Sequence, residues 1–363
     1  MARRALRAGI GFGLLLAVGC ESGPGRPIGD RQDPARFEKC DNLAGQAAYE
    51  QAVVHMQRGR DVDALPLFRS VIEQCPEHIL AHRYYQDLAQ QLGGEALDTM
   101  QAFYRQLDDS HESPVPGYVK LRLVRSQFKR KQGLDRLVAR HGDFAYAHLS
   151  LGRLSRSVGK LADAAQSLQR AIDRHPKLLE AHLELAETLE DQGRYAEAEL
   201  PYQNYLTGSP GDLQAIRAYV QLLLYKLHEP RKALPWIERL LQADDNNEDA
   251  RMDRAAAQWM SGQLDEALAG YLAVLQARPD NALAALNVGH LHYDAMVSSD
   301  ADKQVHWPKA RAAYRMFENL IRPESGFDHF EERLAVPYRL KAIGEFLGPL
   351  PDDAKPPRLE DLR

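Results

Sequence analysis

The chain has 363 residues, of which 44% are hydrophobic and 27% are charged, proportions typical of a globular protein. Its 51 aspartates and glutamates slightly outnumber its 46 lysines and arginines, and the formal net charge is −5. This balance lacks the basic excess expected of a nucleic-acid-binding protein, so no nucleic-acid partner is predicted. Three cysteines in so long a chain exclude a disulfide-rich scaffold.

The first 19 residues have the layout of a secretory signal peptide. Three arginines precede an apolar run over residues 8–19, which is shorter than the roughly 20 residues that a membrane-spanning helix needs. Glycines at every second position from 9 to 13 argue against an ordinary buried helix. The sequence therefore predicts a signal peptide over residues 1–19.

Residues 16–20 resemble the lipobox of bacterial lipoproteins, in which the cysteine is acylated, for example with palmitate, and becomes the mature N-terminus. The resemblance implies a lipid anchor on Cys20. The residue three places before the cysteine is Leu in that pattern and Ala17 here. Because residues 17–19 also fit the small-x-small rule of ordinary cleavage, that alternative remains open.

Residues 20–44 are rich in Gly and Pro and show no apolar periodicity. Such a composition cannot bury enough surface to fold, so this segment is predicted to be a flexible tether. About twenty flexible residues have a root-mean-square span of roughly 25 Å.

From residue 45 the chain repeats itself with a period of 34 residues. Gly193 is followed, at steps of five, four, three and five, by Ala198, Tyr202, Tyr205 and Pro210. The same steps recur from Gly59, Gly159 and Gly262. Seven residues before the four glycines stand the small residues Ala52, Gly152, Ala186 and Ala255.

This pattern predicts pairs of antiparallel helices. The glycine ends the first helix, the proline stops the second, and the small residues let the two approach closely. Because a pair of such short helices cannot cover its own apolar face, neighbouring pairs must stack on it. The pattern resembles the tetratricopeptide repeat (TPR), which implies an all-α solenoid.

The glycine spacings predict about eight units over residues 45–323. Two degenerate units fill residues 79–144, one later unit carries an extra residue, and the last unit contains an inserted loop over residues 297–308. Residues 324–348 are predicted to form a capping helix, and residues 349–363 a disordered tail.

No catalytic, metal-binding or cofactor-binding motif is recognisable. His290, His292 and Asp294 lie two apart on a predicted helix and point in different directions. Three further histidines hold the same repeat position, directly after an alanine, and are predicted to be packing residues: His82, His148 and His182. We expect neither an enzyme nor a cofactor.

With Cys20 acylated, Cys40 and Cys75 remain. One interpretation is that they pair in an oxidising compartment and tie the start of the first repeat to its own C-terminal end. Alternatively, Cys75 is an ordinary small residue before the helix-stopping Pro76. Both interpretations stay open at this point.

The resemblance implies that first helices line a concave groove that binds an extended peptide or a partner helix. The twelfth position of each unit then places Trp259 and Tyr293 along this groove, with Tyr225 in a register uncertain by one residue. In the fourth unit the same face carries Arg153 and Arg156. Because Tyr, Trp and Arg are frequent hot-spot residues, these five are predicted to bind the partner; the alternative is that the aromatic residues pack between units.

The sequence thus predicts a lipid-anchored, non-catalytic scaffold of the bacterial envelope, with envelope proteins as partners. Glu21 is not the aspartate that retains some lipoproteins in the inner membrane, which favours the periplasmic face of the outer membrane. The alternative is a soluble periplasmic or secreted binding module without a lipid anchor.

Overall fold

The computed structural model describes residues 37–38, 40, 42–107, 113–321, 330–350 and 355–363. The predicted signal peptide, Cys20 and most of the predicted tether lie outside these residues. The described residues form seventeen α-helices and no β-strand, which confirms the predicted all-α class. None of these helices is long and apolar enough to cross a membrane. The chain divides into two compact units, residues 1–105 and 106–363.

The first unit contains two helix pairs. Their bounds are α1 (Leu43–Gln57), α2 (Asp61–Gln74), α3 (Ile79–Leu92) and α4 (Gly94–Gln106). A disulfide joins Cys40, just before α1, to Cys75 at the end of α2, with the Cα atoms 5.7 Å apart. Phe37 is buried as well. The last residues of the predicted tether are therefore held against the first helix pair.

The second unit contains six helix pairs and a terminal helix. The pairs are α5 (Pro114–Arg122) with α6 (Gln127–Arg140), α7 (Ala145–Ser157) with α8 (Leu161–Arg174), α9 (Leu179–Asp191) with α10 (Tyr195–Gly208), α11 (Leu213–Gln221) with α12 (Pro230–Ala243), α13 (Glu248–Met260) with α14 (Leu264–Ala277), and α15 (Ala282–His290) with α16 (Asp300–Leu320). Helix α17 (Phe330–Leu347) follows. We call the first helix of each pair helix A and the second helix B. Eight pairs and a final helix match the predicted solenoid.

The repeated apolar positions form the core. In the fourth repeat Ala164, Leu168 and Ala171 are fully buried on one face of α8. Gly152 of α7 lies against this face: a Cβ atom there would approach the Cγ atom of Leu168 to 2.6 Å. The small residue is required because the helices of the pair are too close to admit a side chain.

The extra residue of the sixth repeat is accommodated by a π-turn over residues 222–226, in which the amide of Leu227 donates to the carbonyl of Leu222. A π-turn inserts one residue into an α-helix without ending it. The turn that follows needs a left-handed residue, as the glycines of other repeats show; Gly262, for example, has a φ of 82°. Here His228 takes that place with a φ of 54°, a strained conformation for a residue with a Cβ atom.

The predicted inserted loop over residues 297–308 is wrong for residues 300–308, which form the first turns of α16. Ser299 caps this helix by accepting a hydrogen bond from the amide of Asp302, and acidic residues in the first turn favour the helix N-terminus. Trp307 packs its ring on Tyr293 with 5.3 Å between the ring centroids. The polar composition predicted a loop, but the cap and this contact produce a helix.

The predicted disordered tail is wrong for residues 355–363. Residues Leu359–Leu362 form a 3₁₀ turn that contacts α14 and α16, and the side chain of Leu362 is fully buried. The Nε2 atom of His292 donates to the carbonyl of Leu362 at 3.1 Å. This segment has the Pro-rich, charged composition of a tail, yet its two leucines find apolar partners in the last repeats.

We predict that His228→Gly stabilises the second unit by about 1 kcal/mol, because glycine removes the cost of a left-handed residue. Gly262→Ala, at the equivalent position of the next repeat, should destabilise it by a similar amount. Urea unfolding followed by circular dichroism measures both. An unchanged or lower midpoint for His228→Gly would show that the turn carries no such strain.

Candidate protein-interaction site

The three histidines that share a repeat position hold the turns between repeats. The Nε2 atoms of His82, His148 and His182 lie 2.8, 3.0 and 2.9 Å from the carbonyl oxygens six residues before them. Since a carbonyl only accepts, each ring must donate from Nε2. All three rings are buried, which confirms their prediction as packing residues. Among the residues described, no group of three or more His, Cys, Asp or Glu is placed to hold a metal ion.

The A helices of the second unit line one surface, which we call the inner face. At its fourth repeat the guanidinium of Arg153 on α7 donates to two carboxylates of α9, Glu180 at 2.9 Å and Glu184 at 2.8 Å. Arg156 donates from Nε to Asp191 at 2.9 Å and from Nη1 to Glu187. These hydrogen bonds join neighbouring repeats.

Burial opposes the charge of Arg153, but Glu180 and Glu184 nevertheless raise its pKa. Burial also opposes the charge of Arg156, but the carboxylates of Glu187 and Asp191 outweigh it and raise the pKa of Arg156. Both predicted partner-binding arginines therefore have carboxylate partners within the chain. Their binding to another protein remains a prediction, and it would require them to exchange these partners.

A second polar contact joins α11 to α13. The hydroxyl of Tyr225 donates to Asp253 Oδ1 at 2.7 Å, and the Nε2 atom of Gln221 donates to Asp253 Oδ2 at 3.0 Å. Asp253 is only 4% exposed, and burial raises the pKa of its carboxyl group. Tyr225 as a residue is 46% exposed. The buried carboxylate thus fixes the orientation of an aromatic ring that remains open to solvent.

The C-terminal end of the inner face is occupied by the protein's own side chains. Tyr293 stacks on Trp307 on one side, and the guanidinium of Arg339 lies 5.6 Å from its ring centroid. Arg339 also donates to His290 Nδ1 at 2.6 Å. Burial, with a smaller effect of Arg339, lowers the pKa of His290 to about 4.

His290 and His292 point to different partners, as their spacing predicted. His290 contacts Tyr314, whereas His292 contacts His306 and the carbonyl of Leu362. Burial lowers the pKa of His292 to about 4, so this ring is neutral at physiological pH. The two histidines serve separate packing contacts.

Helix caps settle the register of the aromatic residues. Trp259 and Tyr293 each lie twelve residues after an asparagine cap, Asn247 and Asn281, whereas Tyr225 lies thirteen after Asp212. Tyr225 and Tyr293 both lie in π-turns, so a π-turn alone does not account for the difference. Trp259 is half-buried, and the adjacent Met260 is 40% exposed. We define the open part of the inner face, Tyr225, Trp259 and Met260, as the candidate interaction site.

Sequence reasoning placed Arg153, Arg156 and Glu187 on this face but did not predict the hydrogen bonds between neighbouring repeats or the buried Asp253. Glu184 and Glu187 follow Arg153 and Arg156 by 31 residues, slightly less than one repeat. Asp253 follows Gln221 by 32 residues. Helices A of neighbouring repeats lie side by side. A hydrogen-bond donor followed by a carboxylate slightly less than one repeat later could therefore have predicted these contacts from the sequence. Arg339 had no such signal, since α17 lies outside the repeats.

Comparison with known proteins agrees with this architecture. The family model described as tetratricopeptide repeat matches residues 134–176, 149–212 and 222–282. A comparison with curated proteins finds no matching sequence.

Solved structures with similar folds include those of YrrB, PilW and MamA. The crystal structure of YrrB, described as a TPR protein with an unusual peptide-binding site, is 20% identical, covers 56% of this chain and 98% of its own, and has a TM-score of 0.44. PilW, a type IV pilus biogenesis factor, is 19% identical over 58% of this chain and 97% of its own, with a TM-score of 0.40. MamA from Desulfovibrio magneticus RS-1 is 17% identical over 51% and 97%, also with a TM-score of 0.40.

The stacked helix pairs define an α-solenoid of the protein-interaction class. The family-model matches, which fall within residues 134–282, support a tetratricopeptide repeat protein. Such repeats are generally non-catalytic binding modules, and protein partners are therefore the expected ligands.

We predict that burial of Asp253 makes its contribution to stability depend on pH. Because its pKa is raised in the folded state, the folded protein binds a proton at pH values where the unfolded chain, with a pKa of about 3.9, does not. The contribution of Asp253 to the free energy of unfolding should therefore fall as the pH rises above about 4.

Asp253→Asn removes this titration, so the free energy of unfolding of the wild type minus that of the variant should decrease between about pH 4 and 7. Asp249→Asn, in the same helix but at an exposed carboxylate, is the control. Urea unfolding at several pH values measures the difference. A difference that rises with pH would mean that hydrogen bonds from Tyr225 and Gln221 outweigh burial.

Proposed function

We propose that this protein is a non-catalytic scaffold, anchored by a lipid on Cys20 at the bacterial envelope, that binds a peptide or helix of an envelope protein. The geometry of Tyr225 is the observation that supports partner binding. Its ring is exposed on the inner face while its hydroxyl is fixed by the buried Asp253. An aromatic side chain held in place before binding loses little conformational entropy when a partner docks.

Trp259 and Met260 extend this apolar area along α13. In the repeat before Tyr225, Glu187 and Asp191 of α9 are paired with Arg156. A partner segment with apolar anchors fits the open area, because it meets Tyr225, Trp259 and Met260 while the neighbouring carboxylates stay paired within the chain.

Export from the cytoplasm is supported by two independent features. The first is the signal-like sequence of residues 1–19. The second is the disulfide between Cys40 and Cys75, since disulfides persist mainly in oxidising compartments such as the periplasm. The alternative, a soluble periplasmic or secreted module, shares this export and differs only in the absence of a lipid.

For the anchored protein, Glu21 after the acylated cysteine favours the periplasmic face of the outer membrane. The roles that fit a scaffold there are assembly of an outer-membrane channel, pilus or secretion complex, or recruitment of cell-wall enzymes. The identity of the partner then defines the process.

We expect mass spectrometry of the mature protein to find Cys20 as an acylated N-terminal residue. Cys20→Ser should release the protein from the membrane fraction. A non-reducing digest of the same sample should contain the Cys40–Cys75 linked peptide. A mature N-terminus without acyl chains would instead establish the soluble module.

We predict that a photoreactive side chain placed at Met260 crosslinks an envelope protein in intact cells. The same group at Leu200, a 62% exposed apolar residue on the B helix α10, is the matched control and should not crosslink that protein. Truncation of Trp259 to alanine should reduce crosslinking at Met260 by roughly tenfold or more, the effect of a hot-spot residue.

The unfolding midpoint of Trp259→Ala must be measured in parallel. If stability and crosslinking fell in proportion, Trp259 would be a core residue rather than a binding residue. Equal crosslinking from Leu200 and Met260 would remove the inner face as the binding site.

A further inference from the structure

Positive charge is concentrated in one repeat. Residues 113–141, which include α5 and α6, contain eight lysines and arginines and one aspartate, a net charge of +7. The whole chain carries −5, so the remaining residues carry −12. A segregation of this size creates a local positive potential on an otherwise acidic protein.

Helix α6 presents much of this charge to solvent. Leu134 is fully buried and marks the inward side of the helix, whereas Phe128, Lys129 and Arg136 are exposed. Phe128 and Arg136, eight residues apart with Gln132 midway, lie on one helical stripe. We call Phe128, Lys129, Gln132 and Arg136 the outer face of α6.

The basic side chains of this face are available to a ligand. Within the described residues no carboxylate lies within 4 Å of Lys129 or Arg136, whereas the neighbouring Lys131 pairs with Asp135 at 2.8 Å. Phe128 is 76% exposed, an unfavourable position for a phenyl ring in water. Two cationic side chains without a carboxylate partner therefore lie beside an exposed aromatic ring. This surface suits a ligand that has both an apolar part and negative charge.

The other B helices of the second unit do not share this character. Helix α6 carries a net charge of +4, whereas α8, α10, α12 and α14 carry 0, −2, +2 and −2. The B helices occupy equivalent positions in the repeats, so the charge of α6 is not a requirement of the fold.

We propose that the outer face of α6 binds an anionic lipid surface, with Phe128 at the depth of the headgroups and Lys129 and Arg136 against lipid phosphates. Basic residues flanking an exposed aromatic ring on a helix are the composition of an interfacial membrane contact. This inference rests on the proposed function for the presence of a membrane, and it adds a second contact that would orient the repeats relative to it.

A lipid surface fits better than an acidic peptide. The cavity beside α6, with a volume of about 390 Å³, is lined from the other side of the helix by Arg130 and Leu134. Phe128, Lys129, Gln132 and Arg136 do not line this cavity. A membrane requires no groove, because it meets a convex helix face with many mobile headgroups.

The test uses the full chain with Cys20→Ala, so that acylation does not contribute, and vesicles of phosphatidylcholine with or without phosphatidylglycerol. The chain should co-sediment with the anionic vesicles, and binding should weaken at high salt. Each basic residue near an anionic surface is worth about fivefold in affinity, so Lys129→Gln with Arg136→Gln should weaken binding about 30-fold. Phe128→Ala should weaken it further, and this part should persist at high salt.

The matched control is Arg170→Gln with Arg174→Gln, which removes the same charge from α8, also at exposed positions. It should leave vesicle binding within about twofold of the parent chain. Equal binding to both kinds of vesicle, or an equal loss in the two double variants, would overturn the proposal.

A photoreactive group at Gln132 in cells should label lipid; labelling of an acidic protein instead would also overturn the lipid assignment. The vesicle assay is independent of acylation at Cys20. If the native protein were unacylated, the proposed anchor would fail while the vesicle result would still stand. If the vesicle assay failed, acylation of Cys20 would be unaffected.

Discussion

The close approach of the two helices in each pair is the constraint on which the rest of the structure depends. At Gly152 there is no space for a Cβ atom against Leu168, and the equivalent alanines of other repeats are fully buried. Helices this close cannot cover their apolar faces with their own side chains. Within each unit, each pair therefore packs on the next, and stability is shared along the repeats rather than concentrated in a single core.

Stacking also brings helices A of neighbouring repeats side by side and thereby creates the inner face. Polar groups there serve two competing purposes. Arg153 and Arg156 bind carboxylates of the next repeat, which stabilises the stack but reduces the charge available to a partner. Asp253 works differently, because it is buried and holds an exposed ring in place. In the open part of the inner face, the contact between repeats thus leaves the face of an aromatic residue available to a partner.

The repeats were predictable from the sequence because their spacing is fixed by sterics: a small residue, a left-handed turn and an apolar stripe must recur together. Irregular features were less predictable. The π-turns that contain Tyr225 and Tyr293 have no local signature in the sequence. Residues 300–308 and 355–363 have the polar composition of loops, and their structure arises from a cap at Ser299 and from burial of Leu362 by distant helices. Composition reports local preference and misses such tertiary contacts.

The disulfide changes the distance over which an N-terminal anchor would act. The sequence predicts a tether over residues 20–44, but Phe37 is buried and Cys40 is bonded to Cys75. Only residues 21–36 then remain as the predicted tether, and sixteen flexible residues span roughly 22 Å on average. Over such a distance a lipid on Cys20 would keep the first helix pair close to the membrane. Any second membrane contact on the same chain would then form intramolecularly, so that even a weak contact with headgroups would be favoured.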